Sequence, residues 1–316
     1  MKPASIGSRV CANGLSLSRP LPPRDSPLLQ RLIEWRFIIG RVPKTSFTLR
    51  VTPPPPSDVA VRGDFNRDGL ADIVFQDRDG ALAAWLMNGA NLVAAGFLEP
   101  SNIGDSRYSI VASGDFNGDK LEDLLFQHAD GTLAVWFMDH TRMTESAPLI
   151  PDKPENAQWR ALAVADFSGD GKPDLVLQHS NGTIEVWVMD GIRRVRRASL
   201  SERGTDGSWR IAGAADFNSD GKPDLVFQHP SGDLAVWYLD NFVASGKLLN
   251  PVNSGSPGLR AVSVADRNGD GKADLLFQHD GDGSLVLWLM NGINRSSVQS
   301  LNPSIPGSTW KVVAPK

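Results

Sequence analysis

Cysteine is all but missing from this chain of 316 residues: Cys11 is the only one. A lone thiol can build neither a disulfide framework nor a cysteine-based zinc site. Histidine is scarce, at five residues. No apolar run approaches the ~20 residues that a membrane-spanning helix needs. There is no G-x-S-x-G and no H-E-x-x-H, which removes two frequent hydrolase designs. Apolar side chains are plentiful, 41% of the total, enough for one large domain or two smaller ones.

Positive charge is short in most of the chain. Residues 1–56 carry nine Lys/Arg against two acids, and the remainder carries 23 against 34. The body is therefore acidic, at −11. It lacks the positive face that a nucleic-acid partner requires. The basic arm is Arg-rich and poor in acids, as organelle-targeting peptides are, but it has no apolar centre or small-residue cleavage site of a secretory signal. Pro20, Pro22, Pro23 and Pro27 interrupt it, Leu28–Val42 suits a short helix bearing Trp35, and Pro53-Pro54-Pro55-Pro56 makes a stiff linker. We expect residues 1–56 to be a poorly ordered basic extension and 57–316 to be the folded domain.

From residue 57 the chain repeats, in units near 57–106, 107–157, 158–207, 208–257 and 258–308, with a last strand at 309–315. Asp64, Asp115, Asp166, Asp216 and Asp266 are spaced by 51, 51, 50 and 50 residues. Twelve residues after each stands a glutamine: Gln76, Gln127, Gln178, Gln228 and Gln278. Trp85, Trp136, Trp187, Trp237 and Trp288 follow the aspartate at 21 or 22, and Tyr108, Trp159 and Trp209 precede it by seven. His128, His179, His229 and His279 directly follow the glutamine, where the first unit has Asp77.

Each unit reads as four short strands between turns rich in Gly, Pro, Asn and Asp. In the fourth unit they fall on Trp209–Ala215, Asp224–Gln228, Leu234–Leu239 and Ala244–Leu249. In Leu133–Met138 both alternating sets are apolar, so that strand is buried on both faces of its sheet. Four-stranded units of ~50 residues, repeated with polar outer strands, predict an all-β fold: a β-propeller of antiparallel blades. A linear solenoid needs distinct caps at both ends, and the sequence shows none. Trp310–Ala314 matches the first strand of a unit. Two closures follow: five blades, with this strand latched on the N-terminal region beside Ser46–Val51, or an incomplete copy of a larger ring. Five blades is the expectation.

The repeated aspartate opens a nine-position loop. Positions 1, 3, 5 and 9 are Asp64, Asn66, Asp68 and Asp72 in the first unit, with Leu70 at 7. They are Asp115, Asn117, Asp119 and Asp123 with Leu121 in the second, and Asp166, Ser168, Asp170 and Asp174 with Lys172 in the third. The fourth has Asp216, Asn218, Asp220 and Asp224 with Lys222; the fifth has Asp266, Asn268, Asp270 and Asp274 with Lys272. Calcium takes six to eight hard oxygens, and a tight turn can converge side chains at 1, 3 and 5 with the carbonyl at 7. The slot of the EF-hand glutamate holds Phe75 and Phe126 in the first two units, so the aspartate at 9 is expected to supply the closing carboxylate. Glycine at position 6 permits the bend in four loops, whereas the second has Lys120. A single Asp-Asn-Gly loop is commonly a solvated turn; five in register predict up to five calcium ions, whose charge nearly cancels that of the acidic body.

These residues resemble the FG-GAP/VCBS repeat family. The combination D-F-N-x-D-G-x-x-D, then D-L-[VL]-F-Q, then W-x-M-[DN]-G recurs through residues 57–316. That family includes integrin α-subunit propellers, propeller lectins and many bacterial surface proteins. The resemblance implies calcium between the first and second strands and a location outside the cell or at its surface. It fixes no ligand, because fold does not give function.

Two kinds of partner fit the remaining repeated slots. Tyr108, Trp159, Arg160, Trp209 and Arg210, beside His128, His179 and His229, could line clefts between blades and bind glycans through aromatic walls and polar donors. Several equivalent sites would add avidity. The alternative is a protein-binding adhesion module of integrin-head type, using exposed residues such as Arg193, Arg194, Arg196 and Arg197. A polysaccharide lyase is the minor alternative; no repeat carries an obvious unique acid–base pair, so a non-enzymatic module is expected. Packing is the expected role of the third-strand tryptophans, and backbone satisfaction that of the Gln-His pairs.

Overall fold

The computed structural model describes residues 61–200, 207–240, 242–256, 258–307 and 309–316. The expected extension 1–56, the helix at Leu28–Val42 and the segment Ser46–Val51 lie outside them. Every regular element among the described residues is a strand. The first unit holds β1 (Ile73–Asp77), β2 (Ala81–Asn88) and β3 (Asn91–Asn102). The second holds β4 (Tyr108–Gly114), β5 (Asp123–His128), β6 (Leu133–Asp139) and β7 (Arg142–Pro148). The third holds β8 (Trp159–Ala165), β9 (Asp174–His179), β10 (Ile184–Asp190) and β11 (Arg193–Ser199). The fourth holds β12 (Arg210–Ala215), β13 (Asp224–Gln228), β14 (Asp233–Asp240) and β15 (Val243–Asn253). The fifth holds β16 (Leu259–Ala265), β17 (Asp274–His279), β18 (Leu285–Asn291) and β19 (Asn294–Ser300), and β20 (Trp310–Ala314) follows.

Within each unit the strands pair antiparallel in chain order. Burial explains the sequence classes. Second strands such as β1 and β13 are buried at every residue, which is why they are unbroken runs like Leu-Val-Phe-Gln. Outer strands such as β7 and β19 are largely exposed and correspondingly polar. A one-residue register shift recurs in β4, β8, β12 and β16 at the same point. It is a β-bulge, which sharpens the local twist.

The first unit has no first strand of its own among the described residues. β20 supplies it, pairing with β1 so that Val74 meets Ala314 and Asp77 meets Trp310. Trp310–Ala314 therefore latches onto Ile73–Asp77 in the first unit. First strands are neighbours in the order β4, β8, β12, β16, β20 and back to β4. Outer strands touch through single parallel pairs, Glu99 with Arg142, Asn250 with Asn294 and Asn91 with Asn302. Such contacts join β3 to β7 and β15 to β19 into two eight-stranded sheets.

The hydrophobic core lies between units. One cluster joins Phe116, Leu125 and Val135 of the second unit to Val164, Leu175 and Trp187 of the third. Others join the third unit to the fourth, the fourth to the fifth, and the first to the second with Val313 and Ala314 of β20. Two-sided burial of each sheet is thus met by its neighbours, giving a propeller-like arrangement.

Candidate functional site

Four of the acidic loops join a first strand to a second, the loop from Asp64 to Asp72 leads into β1, and each is built on its opening aspartate. In the second loop Asp115 Oδ1 accepts N–H groups from Gly118 at 2.7 Å and Asp119 at 3.1 Å, and Oδ2 accepts that of Lys120 at 2.8 Å. Asp64, Asp166, Asp216 and Asp266 do the same, each taking the position-6 N–H on Oδ2. The residue at 6 must then be left-handed. Gly69 has φ of 88°, and Lys120 is driven to 66° despite its side chain. The asparagine at 3 donates from Nδ2 to the aspartate at 5, at 3.0 Å from Asn66 to Asp68 and 2.9 Å from Asn218 to Asp220. Lys172 and Lys222 at position 7 turn their ammonium groups away, onto Asp190 and Asp240.

The aspartate at position 9 has a structural duty that spacing did not reveal. Asp72, Asp123, Asp174, Asp224 and Asp274 are fully buried. Each ties the loop to the third strand. Asp72 accepts the Phe65 N–H on Oδ2 and the Met87 N–H on Oδ1, both at 2.8 Å. Asp123, Asp224 and Asp274 repeat the bracket with Met138, Leu239 and Met290, and Asp174 uses Ser168 and Met189. Burial pushes Asp72 up to about 8 and Asp123 up to about 7, with the carboxylates at positions 1 and 5 adding to the rise. Asp224 and Asp274 rise to about 6 for the same reasons.

The donor set fits a hard cation: three carboxylates and an amide or hydroxyl oxygen per loop, each carboxylate oxygen with a second lone pair. The spacing shown holds these groups on backbone N–H donors. Among the described residues no three acidic, His or Cys side chains are gathered closely enough to share a metal ion.

The repeated glutamine connects units. Gln76 Nε2 donates to the Tyr108 carbonyl at 2.8 Å while its Oε1 accepts the Ile110 N–H at 2.8 Å. Gln127 spans to Trp159 and Ala161, Gln178 to Trp209 and Ile211, and Gln228 to Leu259 and Ala261. Gln278 reaches Trp310 and Val312 of β20. A side-chain amide thus acts as a peptide group between each second strand and the next unit's first strand. The histidines cap hairpin turns instead. His179 and His279 accept on Nδ1 the N–H two residues on. Asp77 replaces histidine because its carboxylate does the same for Asp79 and Ala81.

The candidate ligand residues separate into two settings. His128, His179 and His229 stack on Tyr108, Trp159 and Trp209, with ring centroids 4.7, 5.0 and 5.2 Å apart. These are cross-strand pairs within a unit. Trp159 is buried, at 8% exposure, and so is a packing residue. Tyr108 enters a cleft of about 320 Å³ with Phe126, Trp136 and Pro148. Trp209 enters the equivalent cleft of about 470 Å³ with Phe227, Trp237 and Leu248. Trp136 and Trp237 are half-buried, whereas Trp85, Trp187 and Trp288 are fully buried. Trp136 and Trp237 still pack against the clusters between units, as expected, with part of each ring left accessible. Arg194 and Arg295 cover Trp187 and Trp288 at 4.3 and 4.5 Å, while the equivalent outer-strand residues in the second and fourth units are Met143 and Ala244.

Arg160, His179, Trp209 and Arg210 meet in a third space, of about 620 Å³, with Gln158, Gln178 and Lys316. On β11, Arg194 stacks on Trp187, Arg196 on Phe242 at 4.9 Å, and Arg197 pairs with Glu155. Arg193, Arg196 and Arg197 are exposed as expected and Arg194 is half-buried, although all but Arg193 have these partners. Arg267 escaped notice although the other loops place Phe at its position. Its buried guanidinium donates to Ala71 O at 3.2 Å and to Ser263 Oγ at 2.8 Å, bridging the fifth unit to the first. Glu122 is likewise alone among the repeats at position 8, beside Ser113 and Arg62.

A family model described as FG-GAP-like repeat matches residues 64–126, 115–177, 169–227 and 216–277. The chain belongs to the FG-GAP-like repeat family. No curated protein matches it. Among solved structures, it is similar to a Photorhabdus luminescens Tc holotoxin pore with the TccC3-D651A mutation at 16% identity and a TM-score of 0.43, covering 79% of this chain and 12% of that one. The chain therefore spans a small part of that protein. It is also similar to the computationally designed Ika8 protein (16% identity, TM-score 0.34, 74% and 60% covered) and to BBS1N in complex with ARL6DN (13%, 0.34, 79% and 71%). At these TM-scores none of the three bears on the function of this chain.

Proposed function

We propose that this chain is a five-bladed β-propeller, stabilised by calcium in its acidic loops, that recognises carbohydrate outside the cell or at its surface. Closure by β20, with Gln278 and Arg267 joining the fifth unit to its neighbours, supports the ring of five. Calcium would be held by the residues at positions 1, 3, 5, 7 and 9, and would supply positive charge among their fifteen carboxylates. The role is binding and not catalysis: the loop carboxylates are committed to amides and cation.

The observation that carries the glycan reading is the pair of equivalent clefts walled by Trp136 with Tyr108 and by Trp237 with Trp209. An exposed aromatic face meets the apolar face of a sugar ring, and neighbouring polar groups meet its hydroxyls. The integrin-like reading relies on the β11 arginines, whose engagement on Trp187, Phe242 and Glu155 leaves it the weaker of the two. A glycan array followed by calorimetry tests the proposal. Wild-type protein is expected to bind neutral oligosaccharide, and Trp136→Ala with Trp237→Ala to abolish that binding without loss of fold. Neutral-oligosaccharide binding that survives both substitutions, or that free sugar does not compete, rejects it.

A further inference from the structure

We infer that the space between β4, β8 and β12 is a second binding site, specific for the acidic group of a charged sugar; this rests on the carbohydrate reading and shares Trp209 with one of its clefts, but its charged residues are its own. In each first strand one residue lies opposite the repeated glutamine, and these five positions form a ring of equivalents. In order these are Ser109, Arg160, Arg210, Arg260 and Lys311, paired with Gln127, Gln178, Gln228, Gln278 and Gln76. Four of the five are basic in a body that is otherwise acidic. Two of those four, Arg160 and Arg210, line the 620 Å³ space with Ser109, and no acidic side chain does.

Lys316 also lines this space, and its backbone oxygen is held by Arg62 Nη2 at 2.7 Å and by the Val164 N–H at 3.2 Å. Arg260 already pairs with Asp280 at 2.8 Å. Arg160 and Arg210 have no ion-pair partner among the described residues; Arg210 lies near Arg260 and Lys316 and also feels the Asp280 carboxylate that Arg260 holds. Burial lowers the Arg210 guanidinium, with Arg260 adding to the effect. Like charges gathered in a partly desolvated space are unfavourable unless an anion joins them.

The chemistry selects the ligand. Two guanidinium forks suit the planar carboxylate of a uronic acid or a sulfate ester. Trp209 and His179 give the sugar ring an aromatic wall, and Gln158 offers an amide to its hydroxyls. The space is bounded by the starts of β8 and β12, whereas the acidic loops follow their ends. An acidic ligand therefore approaches the end of the sheets opposite the negative loops.

Calorimetric titration with trigalacturonate and with neutral galactotriose tests this on the full chain. Trigalacturonate should bind at least about tenfold more tightly, and rising salt should erase the difference. Arg160→Gln with Arg210→Gln should lose the acidic preference but keep neutral binding at the Trp136 and Trp237 clefts. Arg160→Lys with Arg210→Lys should retain part of it, which separates charge loss from misfolding. Equal affinity for the two sugars, or an acidic preference unchanged in the Gln variant, overturns the inference while leaving the carbohydrate reading intact. Neutral binding lost in Trp136→Ala and Trp237→Ala identifies the clefts independently.

Discussion

At the residue scale, Lys120 shows how a loop imposes its conformation on an unsuitable side chain. Its N–H is required by Asp115 Oδ2, and its φ of 66° is where its four counterparts are glycine. Lys120→Gly should therefore stabilise the protein by about 1 kcal/mol, read as a higher melting midpoint. Lys316 gives a pH-dependent case. Burial, then Arg210, lowers its ammonium to about 7, whereas an unfolded lysine titrates near 10.4. Between about 7 and 10 the unfolded chain binds more protons at this group, so its contribution to stability rises with pH in that window. Lys316→Met should raise the melting midpoint at about pH 6.5, and the gain should fade by about pH 10. A gain that grows with pH contradicts this assignment.

At the scale of the strand, the repeated glutamine is the part of the sequence whose meaning the fold changes most. Its spacing marks it as a repeated slot, but not that one amide serves two backbone groups of the next unit. Gln178→Leu leaves the Ile211 N–H and the Trp209 carbonyl without that partner. The expected cost is about 2–4 kcal/mol, one to two unsatisfied buried groups, measured by denaturant unfolding. A cost under about 0.5 kcal/mol, the level of a surface change, contradicts the bridging role. The four strands per unit were legible because local polarity records them: the second strand of the fourth unit was expected at Asp224–Gln228 and is observed there. Partners across units were not legible. Trp136 and Trp187 occupy one sequence slot, yet only the latter lies beneath an arginine. Likewise, the buried brackets made by Asp72 and its equivalents cannot be told from ligands by spacing alone, since a carboxylate serves either N–H or metal.

At the scale of the whole molecule, the last strand and the acidic loops carry the account. β20 fills the edge of β1 and receives Gln278. Removing residues 310–316 exposes Val74 and Phe75 and opens a pairing edge; loss of the cooperative transition or self-association is expected by scattering and calorimetry. The family's membership was readable from the loops and glutamine slots, whereas the pairing of β20 with Ile73–Asp77 was not, because no local signal distinguishes one open edge from another. The five loops act separately, so Asp166→Ala should remove only part of any stabilisation by calcium. The most direct measurement is the melting midpoint of chelator-treated full-length protein titrated with calcium, with magnesium as the comparison. A rise that calcium produces and magnesium at equal concentration does not is the expected result; a midpoint unmoved by millimolar calcium contradicts the account.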